Sequence, residues 1–243
     1  MNIIDFSNAK TARGVFYGGD AGAKEAILHD DATWMIKYPK TTRDLINPQI
    51  SYTTSPLSEY LGSKIYELLG LPTHEVLLGT RKGKIVVACK DFTWLTINER
   101  TSHKPYELIH FHYLKNTFMS SDLESYSGTG SETLLDEVEK RLSDTNAMEQ
   151  DAFKSPRCVY KYRGLDNESH SINPFEFIEN TKIQGCRDAL DRFLSKINMG
   201  DVRSLIDEIP EHYEVLSIMP HTQKRFYIKL IEIRLDKLAS MKI

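Results

Sequence analysis

Residues 13–91 place four features in an order that constrains the fold more than anything else in the chain. First comes a glycine-bearing turn, R-G-V-F-Y-G-G-D-A-G-A-K, with Gly14, Gly18, Gly19 and Gly22. Next is the short apolar run W-M-I-K-Y-P, with Lys37 near its end. Then comes S-P-L-S-E-Y-L-G-S-K-I-Y-E-L-L-G, where Ser55 is placed as an N-cap and Pro56 as a first helical residue. Leu57, Leu61, Ile65 and Leu68 recur at helical spacing, Gly70 supplies the stop, and Glu59 lies in the first turn. Last is K-I-V-V-A-C-K-D-F, an apolar strand with a polar exit.

The rest of this region reads as antiparallel β-structure. A short strand is expected at Ile3–Phe6 and a hairpin from Arg13–Tyr17 and Lys24–Leu28. A turn is expected at His29-Asp30-Asp31, followed by a strand over Thr33–Tyr38. Glu75–Thr80 and Lys84–Phe92 flank the turn Arg81-Lys82-Gly83, and Thr41–Thr54 is a polar loop. The pattern changes after Phe92. Thr93–Tyr106 is loop-like, Glu107–Met119 has helical spacing, and Ser120–Ser131 is the linker candidate. Glu132–Leu142 is a charged helix and 152–175 is irregular. Helices are expected at about 175–180, 185–197, 201–209 and 220–240, the last with Phe226, Leu230, Ile233 and Leu238 on one face. The fold class is α+β. Residues 1–100 form a sheet with one helix, and residues 101–243 form an abbreviated helical lobe with a Gly/Ser linker near 120–131.

Composition excludes several classes. A formal net charge of −3 gives no bulk basic field for nucleic acid or an anionic membrane. No apolar run approaches the roughly 20 residues of a membrane helix. The opening M-N-I-I-D-F-S-N lacks the pattern of a signal peptide. Cys89, Cys158 and Cys186 form no C-x-x-C pair and are odd in number, which points to a reducing compartment. A cytoplasmic location is the default, with export by another route left open.

Each of the four features has an ordinary reading and a chemical one. Glycines let backbone N–H groups approach phosphate oxygens, but they are also common turn residues. Lys37 has the charge to neutralise phosphate, or is a solvated lysine. Glu59 has the position to hold Lys37, or complements a helix dipole. The order and the 22-residue spacing of Lys37 and Glu59 fit one nucleotide-holding arrangement. His110 and His112 alternate without a third ligand at metal spacing, so no metal site is expected. H-E-x-x-H, G-x-S-x-G and Walker A motifs are missing.

The I-D-F opening, the G-G turn, M-I-K-Y-P, S-E-Y-x-x-x-x-I-Y-E-L-L-G-L, L-L-G-T and V-V-A-C-K-D-F resemble the small lobe of HipA-like serine/threonine protein kinases. Within that family they are most similar to the compact CtkA (cell-translocating kinase A) type. N-P-F-E-F-I-E-N-T and C-R-D-A-L-D-R-F extend the resemblance into the C-terminal part. The resemblance implies a protein-kinase-like small lobe and ATP as the nucleotide. It implies that Gly18, Gly19 and Gly22 face the phosphates, with Lys37 as the nucleotide lysine and Glu59 as its partner. It also makes Ala88, Cys89 and Lys90 the adenine connector.

The family's H-x-N base segment and F-D-x-G metal aspartate are not found here, so catalytic residues and Mg²⁺ remain unassigned. Asp188 within C-R-D-A-L-D-R-F reads as part of a structural helix, and Asp166 as part of a polar loop. Asp136, Glu137 and Glu139 read as a solvated face. Three functions follow. One is a degenerate or internally deleted kinase with weak ATP binding. The second is a non-catalytic module that regulates a related kinase or an antitoxin-like partner, with a protein partner over the open cleft. The third is an active kinase with its carboxylates at Asp166, Asp188 or Asp191.

Overall fold

The computed structural model describes residues 1–17, 23–39, 55–92, 132–153, 161–163, 169–171 and 174–241. The expected loop at 41–54, the helix at 107–119 and the linker at 120–131 lie outside the described residues.

The N-terminal part is a six-stranded sheet: β1 (Ile4–Asp5), β2 (Lys10–Thr11), β3 (Lys24–His29), β4 (Ala32–Lys37), β5 (Val76–Arg81) and β6 (Lys84–Lys90). The strand order is β1-β5-β6-β4-β3-β2. Two tight turns set the hairpin registers. Asp30 and Asp31 have φ of 45° and 56°, and Lys82 and Gly83 have 52° and 68°. Both are two-residue turns whose twist suits adjoining antiparallel strands. The expected hairpin partner Arg13–Tyr17 is corrected. Lys10–Thr11 pairs with Leu28 and Ile27 instead, and Gly14 turns the chain away at φ 76°. The sheet is also mixed rather than wholly antiparallel, because β1 runs parallel to β5. Gly79 makes that pairing possible: a Cβ there would lie 2.3 Å from the Ile4 carbonyl oxygen and 2.4 Å from the Phe6 ring.

Strand alternation divides the sheet into two faces. Ile27, Trp34, Ile36, Val86 and Ala88 pack with Phe6 on one face. Val76, Leu78, Val87 and Cys89 occupy the other, under helix α1 (Ser55–Leu68). The buried stripe of α1 is Leu57, Tyr60 and Leu61, with Leu69 just beyond its end. Leu68, expected in that stripe, is instead exposed. Gly70 closes the helix at φ 69°, with the Gly70 and Leu71 N–H groups donating to the Glu67 and Tyr66 carbonyls. This αL termination satisfies carbonyls left open at a helix end.

The C-terminal part contains α2 (Glu132–Ser143), α3 (Thr145–Phe153), the hairpin β7 (Lys161–Arg163) and β8 (Ser169–Ser171), α4 (Pro174–Asn180), α5 (Gln184–Lys196), α6 (Met199–Asp207), the hairpin β9 (His212–Tyr213) and β10 (Leu216–Ser217), and α7 (His221–Ser240). The region read as irregular over 152–175 thus holds the end of α3 and a hairpin. Short strands without apolar alternation leave little trace in a sequence. Val202 and Ile206 of α6, with Ile209, Ile218 and Met219, enter the same core as Leu57, Leu61, Val76 and Cys89. Tyr227, Ile228 and Ile231 of α7 pack against its margin. The sheet, α1, α6 and α7 therefore share one hydrophobic interior. No helix among the described residues is long and apolar enough to cross a membrane.

Candidate functional site

Strand β4 brings Lys37 to the α1 face of the sheet, and α1 brings Glu59 opposite it, one turn in from the helix start rather than in the first turn. The Lys37 ammonium donates to Glu59 Oε1 at 2.6 Å. The side chains are 21% and 33% exposed, so the pair is partly shielded at a sheet–helix junction. A charge-assisted bond in this setting fixes the lysine more firmly than an open surface pair does. On the same face Cys89 lies opposite Met35 and Val76, and Lys37 lies opposite Val87.

The edges of this junction are tied down as well. Tyr17, near the glycine turn, donates its hydroxyl to Asp91 Oδ2 at 2.7 Å. The Asp91 N–H donates to the Thr33 carbonyl. These bonds hold the entry to the glycine turn against the exit of β6.

Gly18, Gly19 and Gly22 lie outside the described residues. Ala88 and Cys89 are fully buried strand residues paired with β4 on one side and β5 on the other. Lys90 is exposed, ion-pairs with Glu75 at 2.8 Å and lies over the Trp34 ring. Its N–H donates to the Glu75 carbonyl. The structure thus brings Lys37, Glu59 and Cys89 together and turns Lys90 toward solvent.

Two residues that sequence reasoning did not single out are prominent. His74, in the connection from α1 to β5, joins Glu59 and Cys89 in one group whose ligand atoms lie within 4.8 Å of one another. Burial lowers the His74 pKa from its ordinary value. Burial also pushes the Cys89 thiol up to about 12, against the opposing pull of Lys37. The other residue is Glu25, on the far face of the sheet. It accepts from Arg81, Lys82, Tyr38 and Thr11. The Arg81 guanidinium, followed by the other donors, holds its carboxyl well below the usual range despite burial. Neither residue sits in a local motif, since each constellation is assembled from distant segments.

The carboxylates considered for catalysis are placed differently. Asp188 lies on α5 and accepts from Gln184 at 2.8 Å, and Asp191 is exposed on the same helix. Asp166, His110 and His112 lie outside the described residues. Glu139, expected on a solvated face, accepts from Thr222 and Arg225 and so joins α2 to α7. Side chains at 132–137, including Asp136 and Glu137, lie outside the description.

A curled sheet with one helix held over it by a lysine–glutamate pair, followed by helices on the same core, is a protein-kinase-like α+β fold. The chain is similar to serine/threonine-protein kinase CtkA of Helicobacter pylori, 26% identical over 293 residues that take in 91% of this chain and 84% of the relative. A crystal structure of a Helicobacter pylori proinflammatory kinase CtkA matches it with a TM-score of 0.74 and 24% identity, covering 99% of this chain and 97% of the other. The chain is CtkA-like in sequence and in fold. The 293-residue span exceeds the 243 residues of this chain, so the relative carries residues inside it that have no counterpart here. No family model matches the chain.

Proposed function

We propose that this chain is a degenerate or internally deleted HipA-like serine/threonine kinase homologue that holds ATP weakly and does not transfer its phosphate. The observation that carries the proposal is the Lys37–Glu59 pair, 2.6 Å long and set at the sheet–helix junction. In this reading Lys37 offsets phosphate charge, Glu59 fixes its position, and the backbone of Gly18, Gly19 and Gly22 approaches the phosphates. Ala88, Cys89 and Lys90, at the exit of β6, serve as the connector for the adenine edge. Residues 1–100 act as the nucleotide-holding small lobe and residues 101–243 as an abbreviated helical lobe.

Among the described residues, Lys37 and Glu59 suit a nucleotide, while the one metal-capable group does not suit Mg²⁺. Among the described residues, the one group of three metal-capable side chains is Glu59, His74 and Cys89. An imidazole and a thiol are poor partners for a hard cation that prefers oxygen. In this reading lysine charge and backbone donors bind and orient phosphate, while no cluster of three carboxylates gathers among the described residues to support in-line transfer.

Purified protein incubated with labelled ATP, Mg²⁺ or Mn²⁺ and a generic acceptor is expected to show no incorporation above background. Autophosphorylation abolished by Lys37→Ala would overturn the proposal and favour an active enzyme. Alanine substitution of Asp166, Asp188 and Asp191 in turn would then find its carboxylate. The second reading is a regulatory module with a protein partner over the cleft. The observation beside it is that α5 leaves Leu190, Phe193 and Leu194 only half-buried on one side.

A further inference from the structure

The α1 face of the sheet holds a second chemistry beside the lysine–glutamate pair. Glu59 from the N-terminal half of α1, His74 from the α1–β5 connection and Cys89 from β6 converge there. One ligand atom from each lies within 4.8 Å of the others. We propose that these three side chains form a binding site for one borderline-soft divalent cation, zinc in the first instance, and that its occupancy draws Glu59 away from Lys37.

The donor set is mixed N, S and O, which suits zinc and disfavours magnesium or calcium. Tetrahedral bonds of about 2.0–2.3 Å place ligand atoms roughly 3.3–3.6 Å apart. Closing from within 4.8 Å therefore asks for shifts of about 1 Å, within reach of side-chain rotation. Three protein ligands leave the fourth position for water or a bound group. His74 supplies an independent sign. Its Nε2 is fully buried with no hydrogen-bond partner among the described residues. A buried polar atom left without a partner is costly, and a metal bond would satisfy it. Cys89 is 2% exposed and forms no disulfide.

The charges balance locally. The Cys89 thiol loses its proton to solvent as the sulfur–metal bond forms, since the thiolate is the ligand. Thiolate and Glu59 carboxylate together neutralise a divalent ion. Lys37 then remains as an excess positive charge 2.6 Å from a Glu59 oxygen, so lysine and cation compete for one carboxylate. The site stands on this geometry and does not depend on the nucleotide reading above.

The test uses cobalt as a visible stand-in for zinc. The full chain, kept reduced with a non-thiol reductant, is titrated with Co²⁺ and then with Zn²⁺. A near-ultraviolet thiolate-to-cobalt band at one ion per chain, removed by Zn²⁺, is expected. Cys89→Ala and His74→Gln should each weaken binding by about a hundredfold, at least as much as the loss of an outer-shell partner. Cys158→Ser and Cys186→Ser should leave it unchanged. Lys37→Ala should tighten binding by about tenfold, since it removes a like charge beside the ion. If Cys89→Ala does not fold by circular dichroism, the partly exposed His74→Gln decides. Three results would each overturn the site: no band, a band that follows Cys158 or Cys186, or unchanged affinity in His74→Gln.

Discussion

Arg81→Leu is expected to destabilise the protein by about 3–5 kcal/mol, the usual cost of removing one partner from a buried ion pair. Arg81 is 6% exposed in its side chain and Glu25 16%. The guanidinium donates to Glu25 Oε1 at 2.8 Å and Oε2 at 3.2 Å. It also donates to the carbonyls of Phe6 and Ala9, which fastens the N-terminal segment to the β5–β6 hairpin. Leucine removes this donor from the Ala9 carbonyl, leaves the Phe6 carbonyl with the Ala9 N–H, and leaves Glu25 with only Lys82, Tyr38 and Thr11. Denaturant titration should show a lower midpoint. Arg81→Lys should recover part of the loss but not the two-pronged contact.

The same network sets an acid limit. Glu25 titrates lower in the folded chain than in the unfolded one, where the ordinary value is 4.5. A depressed carboxyl pKa stabilises fully above the unfolded value, and the contribution drains away as pH falls below it. Wild-type stability should therefore fall below about pH 4.5 more steeply than that of Glu25→Gln, which is less stable at neutral pH but lacks this titration. Parallel acid profiles for the two proteins would mean that Glu25 is not held as described.

Ile206→Ala is expected to cost about 2–5 kcal/mol, the range for removing a buried aliphatic side chain. Ile206 is fully buried in the core that also holds Leu57, Leu61, Val76 and Val87. The substitution lies in the C-terminal part, yet it opens a cavity under α1 and the sheet. Loss of order should therefore appear in both parts at once. Hydrogen exchange would report it as faster exchange in α1 and β6 as well as in α6. A folded fragment of residues 1–100 that is stable on its own would argue against this shared interior.

β3, β4, α1, β5 and β6 were legible because each pairs a periodic apolar pattern with a turn or stop signal, such as Asp30-Asp31, Lys82-Gly83 or Gly70. The order of Lys37 and Glu59 foreshadowed their contact, since a strand, a connection and a helix start span that interval. β1 against β5 was not legible: a parallel pairing of two residues carries no local signal. Arg13–Tyr17 was misplaced as a strand because apolar Val15 and Phe16 suggest one, whereas Gly14 turns the chain and Phe16 is exposed. Glu25 with Arg81, and Glu59 with His74 and Cys89, join residues from separate elements. Only the folded sheet brings them into contact.

In the function proposed above, Lys37, held by Glu59, is the phosphate-binding charge of a half-formed nucleotide cleft. Titration calorimetry of ATP with Mg²⁺ into wild type and Lys37→Ala tests it most directly. A dissociation constant nearer millimolar than micromolar is expected, a difference of about 4 kcal/mol from a fully formed site, with no measurable binding in Lys37→Ala. Micromolar binding that survives Lys37→Ala would place the nucleotide elsewhere and contradict this role of Lys37.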